Sequence, residues 1–354
     1  MTMASGSPDS RPATARAPDW AAPVATGPLR ARVDLPGSKS LTNRALILAA
    51  LSQRPVRITS PLRARDTALM AGALRSLGVG ITEDGADWVV TPAVLRGGPI
   101  DCGLAGTVMR FVPPLAGLAD GASLFDGDPH ARTRPMGTLI DGLRLAGVQV
   151  DDEGSRRLPF TVRGRGAVLG GPIELDASAS SQFVSALLLA GARFERGVQV
   201  AHLGGPLPSL PHIAMTVAIL RDAGVEVDDS RPDLWTVQPG DLQLPDLVVE
   251  PDLSNAAPFL AAALVAGGSV TVPHWPASTT QAGDALRGLL EQLGGRVQRT
   301  PDGLTVTGQG RIAPLVADLH DVSELTPVLA ALCAQADGES RLSGVAHIRG
   351  HETD

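Results

Sequence analysis

A phrase built on Leu-Arg-x-x-Gly-Val recurs along this chain: "LRSLGVGI" from Leu74, "LRLAGVQV" from Leu143, "LRDAGVEV" from Leu220 and the looser "LEQLGGRV" from Leu290. The copies lie roughly seventy residues apart, and so even a period restricts the fold to one assembled from repeated modules. Each phrase reads as the end of an amphipathic helix, a Gly at the C-cap and then a strand of alternating apolar residues. Short β-rich pieces follow every copy, as in "GADWVVTPAVL", "LPFTVRGRG", "DLWTVQPG" and "DGLTVTGQG", with turn residues between them. The spacing predicts α/β modules of helices and short strands, four of them marked, with the chain stopping partway through a further unit at "RLSGVAHIRGHETD". A length of 354 residues fits two domains better than one.

Composition removes several classes of function. Apolar residues make up 44% and are enough to fill real cores, while the formal net charge of -7 lacks the basic footprint of a nucleic-acid or anionic-membrane binder. Any anion site must therefore come from a local cluster. Cys102 and Cys333 lie far apart without metal-ligand spacing and read as small buried residues. The longest apolar run, "NAAPFLAAALVAGG", is too short and too Gly-punctuated to span a bilayer. Residues 1–26 have no secretory h-region, and Asp9 and Asp19 disfavour a transit peptide. They read as a disordered leader on a cytoplasmic protein.

A second set of helices is entered through small hydroxyl or Gly residues: "PGSKSLTNRALILAALS", "GLAGTVMRFVPPLAGLA", "DASASSQFVSALLLAGA" and "PDLSNAAPFLAAALVAGG". A helix N-terminus offers unpaired N–H groups and a partial positive charge, which together suit an anion. Plain N-capping explains any one of them alone, but four in register with the module point to a shared task. Lys39 and Arg44 belong to the first start and Arg110 to the second. Arg132 and Arg134 precede another helix, with Pro135 at its expected first position. Arg forks match carboxylate or phosphate oxygens, and Lys supplies a point charge. The implied ligands are two small, multiply charged anions held by converging helix ends.

The segments "PGSKSLTNRALILAA", "LAGTVMRF", "RTRPMGTLIDGLR", "SASSQF" and "RGHETD" resemble, in that order, the signatures of the 5-enolpyruvylshikimate-3-phosphate (EPSP) synthase family, from about residue 28 onward. The resemblance implies an α/β fold of two similar domains, an inside-out barrel of repeated βαβαββ units whose helix N-termini face a cleft. Residues 27–36 plus 250–354 would form the first domain, incomplete at its C-terminus, and 37–249 the central domain of three units. The segment that would finish the first domain, with the family's Arg and Lys residues that grip phosphoenolpyruvate, is expected to be missing. The implied reaction transfers the enolpyruvyl group of phosphoenolpyruvate to the 5-hydroxyl of shikimate 3-phosphate and releases phosphate. No metal or organic cofactor is implied, and the expected partners are the two small substrates, without nucleic acid or membrane, acting on a monomer.

Carried over by position, the resemblance puts Lys39 between the substrates, stabilising the departing phosphate. Ser40 and Arg44 would hold the shikimate ring and its carboxylate. Gly106 would let backbone approach phosphoenolpyruvate and Arg134 would bind it. Ser180, Ser181 and Ser209 would take the 3-phosphate, and Gln182 would touch both substrates. Two acidic residues in "DLHDVSELTPVLAALC" compete for the role of base. Counting back from "HETD" favours Glu324, whereas Asp321 suits a cap on the following helix. Glu352 would shuttle the proton at the methylene carbon. The chain departs from the family in Leu104, where Asn is common, in His347, where Asn is usual, and in His351, where Lys is common. His351 would still donate to the 3-phosphate or the ring hydroxyls, with a charge that varies near neutral pH.

Two alternatives remain open on the sequence. UDP-N-acetylglucosamine 1-carboxyvinyltransferase has the same fold and donor, but typically carries Asn after its N-terminal Lys and a catalytic Cys; here Ser40 follows Lys39, and Cys102 falls outside the expected loop. The other alternative is a catalytically inactive protein that retains the shikimate 3-phosphate cradle.

Overall fold

The structure, a computed structural model, describes Ala21 and residues 24–349. The expected leader falls almost wholly outside the described residues, as do His351 and Glu352. After β1 (Leu29–Arg32) come α1 (Lys39–Leu51), β2 (Val56–Thr59), α2 (Arg65–Ser76), β3 (Gly80–Asp84) and β4 (Asp87–Thr91). The second stretch is β5 (Ile100–Asp101), α3 (Gly106–Leu118), β6 (Asp120–Asp126), α4 (Gly137–Leu145), β7 (Gln149–Asp151) and β8 (Phe160–Arg165). The third is β9 (Gly171–Leu175), α5 (Gln182–Gly191), β10 (Val198–His202), α6 (Leu210–Asp222), β11 (Val227–Arg231) and β12 (Leu234–Val237). Then follow β13 (Leu247–Val248), α7 (Leu253–Ala266), β14 (Gly268–Pro273), α8 (Leu286–Gln292), β15 (Arg296–Thr300) and β16 (Gly303–Gly308). The last elements are β17 (Val316–Asp318), α9 (Thr326–Cys333) and β18 (Arg341–Ser343).

Four sheets share one order, illustrated by β5-β6-β8-β7. The first two strands are parallel and the others antiparallel, so α3 and α5 are crossovers between paired strands, and in all four sheets the last two strands form a hairpin. This is the βαβαββ unit. Two sheets take their first strand from a distant part of the chain. β13 pairs with β2 through Leu247↔Ile58 and Val248↔Thr59, and β1 pairs with β14 from Leu29↔Gly268 to Arg32↔Thr271.

That exchange makes the chain cross twice between two apolar cores. One core runs from Ala45 to Val249 and buries α1, α3 and α5 along most of their length. The other runs from Leu253 to Leu332, with Leu29, Val33 and Leu35 packed against it. The crossing segments are bonded to each other, Ser38 N to Glu250 O at 2.8 Å and Asp252 N to Pro36 O at 2.9 Å. Gly37 lies in this crossing, where a Cβ would run into Ser60 O. We propose the two cores, with their crossing at residues 36–38 and 250–252, as the physical basis of a division into 27–36 plus 250–354 and 37–249.

The repeated phrase turns out to be structural. Gly78, Gly147, Gly224 and Gly294 have φ of +97°, +88°, +80° and +92°. Each lies one residue beyond the C-cap of α2, α4, α6 or α8, rather than on the C-cap itself. The next N–H closes back on the phrase's Leu, as Val79 to Leu74, Val148 to Leu143, Val225 to Leu220 and Gly295 to Leu290, the Schellman closure that a glycine at that place permits. In three copies the Arg reaches the following strand, each with one Nη2 at 2.9 Å from the carbonyl of Ile81, Val150 or Val227. The phrase ties the unit's second helix to its third strand at the helix's C-terminal end, and the helix starts singled out in the sequence belong to the first helices.

Candidate active site

Helices α1, α3, α5 and α7 are those first helices. Side chains cap two of them: Ser38 Oγ accepts from Leu41 N at 3.5 Å, and Asp252 Oδ1 accepts from Asn255 N at 3.1 Å. At α3 and α5 the cap residues Ala105 and Ser181 make no side-chain cap, so plain capping accounts for half of the pattern. The α3 start keeps the donors an anion uses, while at α5 Ser180 accepts from Gln182 N and Phe183 N. Pro135 precedes the Met136 cap of α4 and is therefore two residues ahead of the first helical position expected for it. Asp321 does not cap α9 either: it is exposed in a 3-10 turn, and the cap position is Leu325.

At the start of α3, three side chains meet over Gly106. A Cβ there would lie 2.6 Å from Arg110 Nη1, 3.2 Å from Arg134 Nη1 and 3.6 Å from Gln182 Oε1. Arg110 Nη1 donates to Gly106 O at 3.1 Å and to Gln182 Oε1 at 3.3 Å. Arg134 Nη1 donates to Leu104 O at 3.4 Å, so backbone serves beside the position where the family's Asn is absent. Arg110 is buried, stands 5.6 Å from the centre of the Phe183 ring and has an Nε without a hydrogen-bond partner. Burial, with Arg134 adding to it, pulls its pKa down to about 10. Two guanidiniums held this close in a poorly solvated place favour an anion between them. Arg132 is elsewhere: it is exposed and paired with Asp126 at 2.8 and 2.7 Å.

Along the wall from this point, Ser180 Oγ accepts from Gln182 N at 3.3 Å, and Ser181 is buried at the start of α5. Ser209 begins α6 in the left-handed region, at φ 54° and ψ 49°. Lys39 keeps 51% of its side chain exposed, with Nζ 3.6 Å from Asp66 Oδ2. Ser40 follows it on α1, and its carbonyl accepts from Arg44 Nη1 at 3.0 Å. Arg44 itself is only 2% exposed. Its Nε donates to Thr216 Oγ1 and its Nη2 to His212 O, both at 2.8 Å, and burial lowers its pKa to about 9. It ties α1 to α6, and what it offers a ligand is limited to its remaining N–H groups.

The acidic candidate comes from the other core. Glu324 Oε1 accepts from Ser254 Oγ at 2.5 Å, and Oε2 stands 3.8 Å from His212 Nε2. The carboxylate keeps 39% of its surface, yet burial raises its pKa, the Ser254 bond opposes the rise, Asp252 adds to it and Lys39 opposes it. His212 is pressed down to about 4 by burial, Arg44 and Lys39, so it is neutral at neutral pH. Asp252 Oδ2 also accepts from Lys39 N at 3.1 Å, joining the Glu324 side of the cleft to the start of α1. Nothing in the sequence marked His212 as a neighbour of the site; Asp252 and Ser254 stood in the fourth helix start, but their meeting with Lys39 and Glu324 depends on the crossing of the two cores. Arg110 was visible as a helix-start cation but not as a member of the Gly106 cluster. Cys102 is buried, with its thiol pushed up to about 12 by burial, and Cys333 is only partly buried. His347 lies at the end of the described chain, in contact with the His320 ring at 5.1 Å.

Residues 24–354 match the family model for EPSP synthase (3-phosphoshikimate 1-carboxyvinyltransferase). The chain belongs to the EPSP synthase family. That family transfers the enolpyruvyl group of phosphoenolpyruvate to the 5-hydroxyl of shikimate 3-phosphate, a step of aromatic amino acid biosynthesis. Solved structures agree on the fold. An EPSP synthase from Acinetobacter baumannii superposes with a TM-score of 0.77 at 24% identity, covering 93% of this chain and 77% of that one. A second EPSP synthase structure from Acinetobacter baumannii gives 0.64 at 18% identity over 90% and 92%. The enolpyruvyl transferase NikO from Streptomyces tendae gives 0.68 at 19% identity over 90% and 75%. Among the described residues no helix is long and apolar enough to cross a membrane, and no group of three or more His, Cys, Asp or Glu could hold a metal.

Proposed function

We propose that the EPSP synthase reaction of this chain takes place between the Gly106 cluster and Glu324, with the side chains in the following roles. Arg110 and Arg134 bind the carboxylate and phosphate charges of phosphoenolpyruvate, and Gly106 gives that small anion room. Ser180, Ser181 and Ser209 take the 3-phosphate of the acceptor, Ser40 and Arg44 support its ring, and Gln182 lies between the two anions. Glu324 accepts the proton of the 5-hydroxyl as its oxygen attacks C2 of phosphoenolpyruvate, while C3 gains a proton. The tetrahedral adduct then loses phosphate from C2 and a proton from C3, which restores the enol ether. Lys39 stabilises the charge on the departing phosphate. Glu352 and His351 keep the roles the resemblance implies, at the methylene carbon and at the acceptor, and lie outside the described residues.

The observation that carries this reading is the meeting of Arg110, Arg134 and Gln182 where a Gly106 side chain would be. A buried thiol at Cys102 supports it against the sister transferase. We infer a cytoplasmic monomer as the working form, since every proposed ligand comes from one chain; gel filtration tests the oligomeric part. Calorimetric titration of shikimate 3-phosphate, after a cooperative melt is recorded, tests the whole. Saturable binding that shikimate cannot reproduce is expected, followed by phosphate release when phosphoenolpyruvate is added. A folded protein that ignores shikimate 3-phosphate overturns the substrate, and binding without turnover makes the chain a binding protein.

A further inference from the structure

His202 ends β10 and is buried. Its Nδ1 lies 3.1 Å from Ala177 N, and its Nε2 lies 2.7 Å from Gly205 O. A backbone N–H only donates and a backbone carbonyl only accepts. The ring is therefore the neutral tautomer, with its hydrogen on Nε2 and its lone pair on Nδ1. Ala177 stands three residues before Ser180, and Gly205 four before Ser209. The imidazole thus spans the two loops that supply all three proposed phosphate serines.

Other contacts make those loops one body. Ser178 Oγ donates to Asp176 Oδ1 at 2.6 Å and lies 3.2 Å from Gly205 O. A Cβ on Gly204 would collide with Asp176 Oδ1 and come within 2.7 Å of Ser178 Oγ, so the loops touch with no room for a side chain. Asp176 is the carboxylate that faces the neutral ring, and its two Ser178 bonds hold it below the usual range. Ser209, at the far end of the second loop, is in a left-handed conformation that a non-glycine residue keeps only when its surroundings fix it. A strut at Gly205 supplies part of that constraint.

We propose that His202 is a positioning residue for the acceptor's phosphate: by joining the Ala177 turn to the Gly205 loop, it sets the separation of Ser180 and Ser181 from Ser209. The inference rests on the shikimate 3-phosphate reading above. It predicts an effect confined to the phosphate, since Arg110, Arg134 and Glu324 are held by other elements. A second proton on the ring would replace the Nδ1 acceptor with a donor facing the Ala177 N–H, so the strut works only in the neutral form.

The test uses the full 354-residue chain, unaltered and as His202→Leu and His202→Gln. Leu removes both bonds, and Gln keeps a donor that reaches Gly205 O. Calorimetry should show the affinity for shikimate 3-phosphate falling about tenfold in His202→Leu and within about threefold in His202→Gln, the scale of one or two lost hydrogen bonds. Binding of shikimate and of phosphoenolpyruvate should be unchanged. Nitrogen-15 spectra of labelled histidine, with His202 assigned by its loss in the Gln variant, should show the Nε2–H tautomer. Equal shikimate 3-phosphate affinity in the Leu variant and the unaltered chain overturns the proposal. So does an equal loss for all three ligands, which is a general structural defect. If the Leu variant fails to fold, the tautomer and the Gln variant decide, and an Nδ1–H ring overturns the strut. An unaltered chain that shows the tautomer but binds no shikimate 3-phosphate removes the substrate reading, and the phosphate role with it.

Discussion

Gly106 lacks a side chain at the place where Arg110, Arg134 and Gln182 converge, so its replacement by Ala tests the donor site with one carbon. The methyl would press on Arg110 Nη1 first, because that atom is nearest, and would occupy volume assigned to phosphoenolpyruvate. We expect Gly106→Ala to raise KM for phosphoenolpyruvate by about tenfold, roughly 1.4 kcal/mol, with shikimate 3-phosphate affinity unchanged by calorimetry. A loss of both would place the glycine in general packing. Glu324 makes the opposite demand, being wanted as an anion in a site that disfavours charge. Since burial raises its pKa, the base forms only at a higher pH than an ordinary glutamate, and the acidic limb of kcat should be displaced upward. His212, already neutral above about 4, adds no limb near neutrality. Glu324→Gln should cost at least about a hundredfold in kcat. The sign of the stability effect is also fixed: a raised folded pKa means that stability is lost as pH rises from the unfolded pKa through the folded one. Glu324→Gln removes that loss, so above the raised pKa its melting temperature should exceed that of the unaltered chain. An unchanged melt with normal turnover would return the role of base to Asp321.

Among the elements, α1 and α7 share one carboxylate. Asp252 caps α7 through Asn255 N and accepts from Lys39 N at the first residue of α1, so a single side chain serves two helices from different cores. Asp252→Ala should cost about 1–2 kcal/mol, the upper part of the range for one cap, read as a lower denaturant midpoint; a cost of only a few tenths would mean that water replaces both bonds. The four-fold phrase was readable because each copy carries its physics locally: Leu accepts the closing bond, Gly supplies positive φ and, in three copies, Arg reaches the next strand. The four first-helix starts were readable for the same reason, although which of them lack a side-chain cap was not. The exchange of β1 and β13 was not visible as a pairing, since β13 is two residues long and its partner β2 lies nearly the whole central core away in sequence. The expected boundaries at residues 36 and 250 came from the resemblance rather than from periodicity. His202 and His212 were invisible for a related reason: each acts on a loop or helix brought to it by tertiary contact, and neither sits in a spacing that marks it.

For the whole molecule, the crossing at residues 36–38 and 250–252 makes the two cores neighbours without merging them, and the proposed site draws on both. The central core supplies Lys39, the Gly106 cluster and the phosphate serines, and the other supplies Glu324 and Ser254. His320 Nε2 adds a direct tie, 3.0 Å from Leu207 O in the loop that carries Ser209. A ligand that touches Ser209 and Glu324 together must therefore bias the separation of the cores, because its free energy is gained only when both are in reach. Shikimate 3-phosphate at about a hundred times its Kd should add roughly 2.7 kcal/mol of stability. Hydrogen exchange locates that gain. Protection is expected in three separated segments at once, the start of α1, residues 203–209 and residues 320–325, with the outer hairpins of the sheets unchanged. Phosphoenolpyruvate alone, held by Arg110 and Arg134 on one core, should protect the start of α3 and leave residues 320–325 exchanging as before. If shikimate 3-phosphate slows exchange only within the central core, the acceptor does not reach Glu324, and the assignment of the base fails while the phosphate cradle stands.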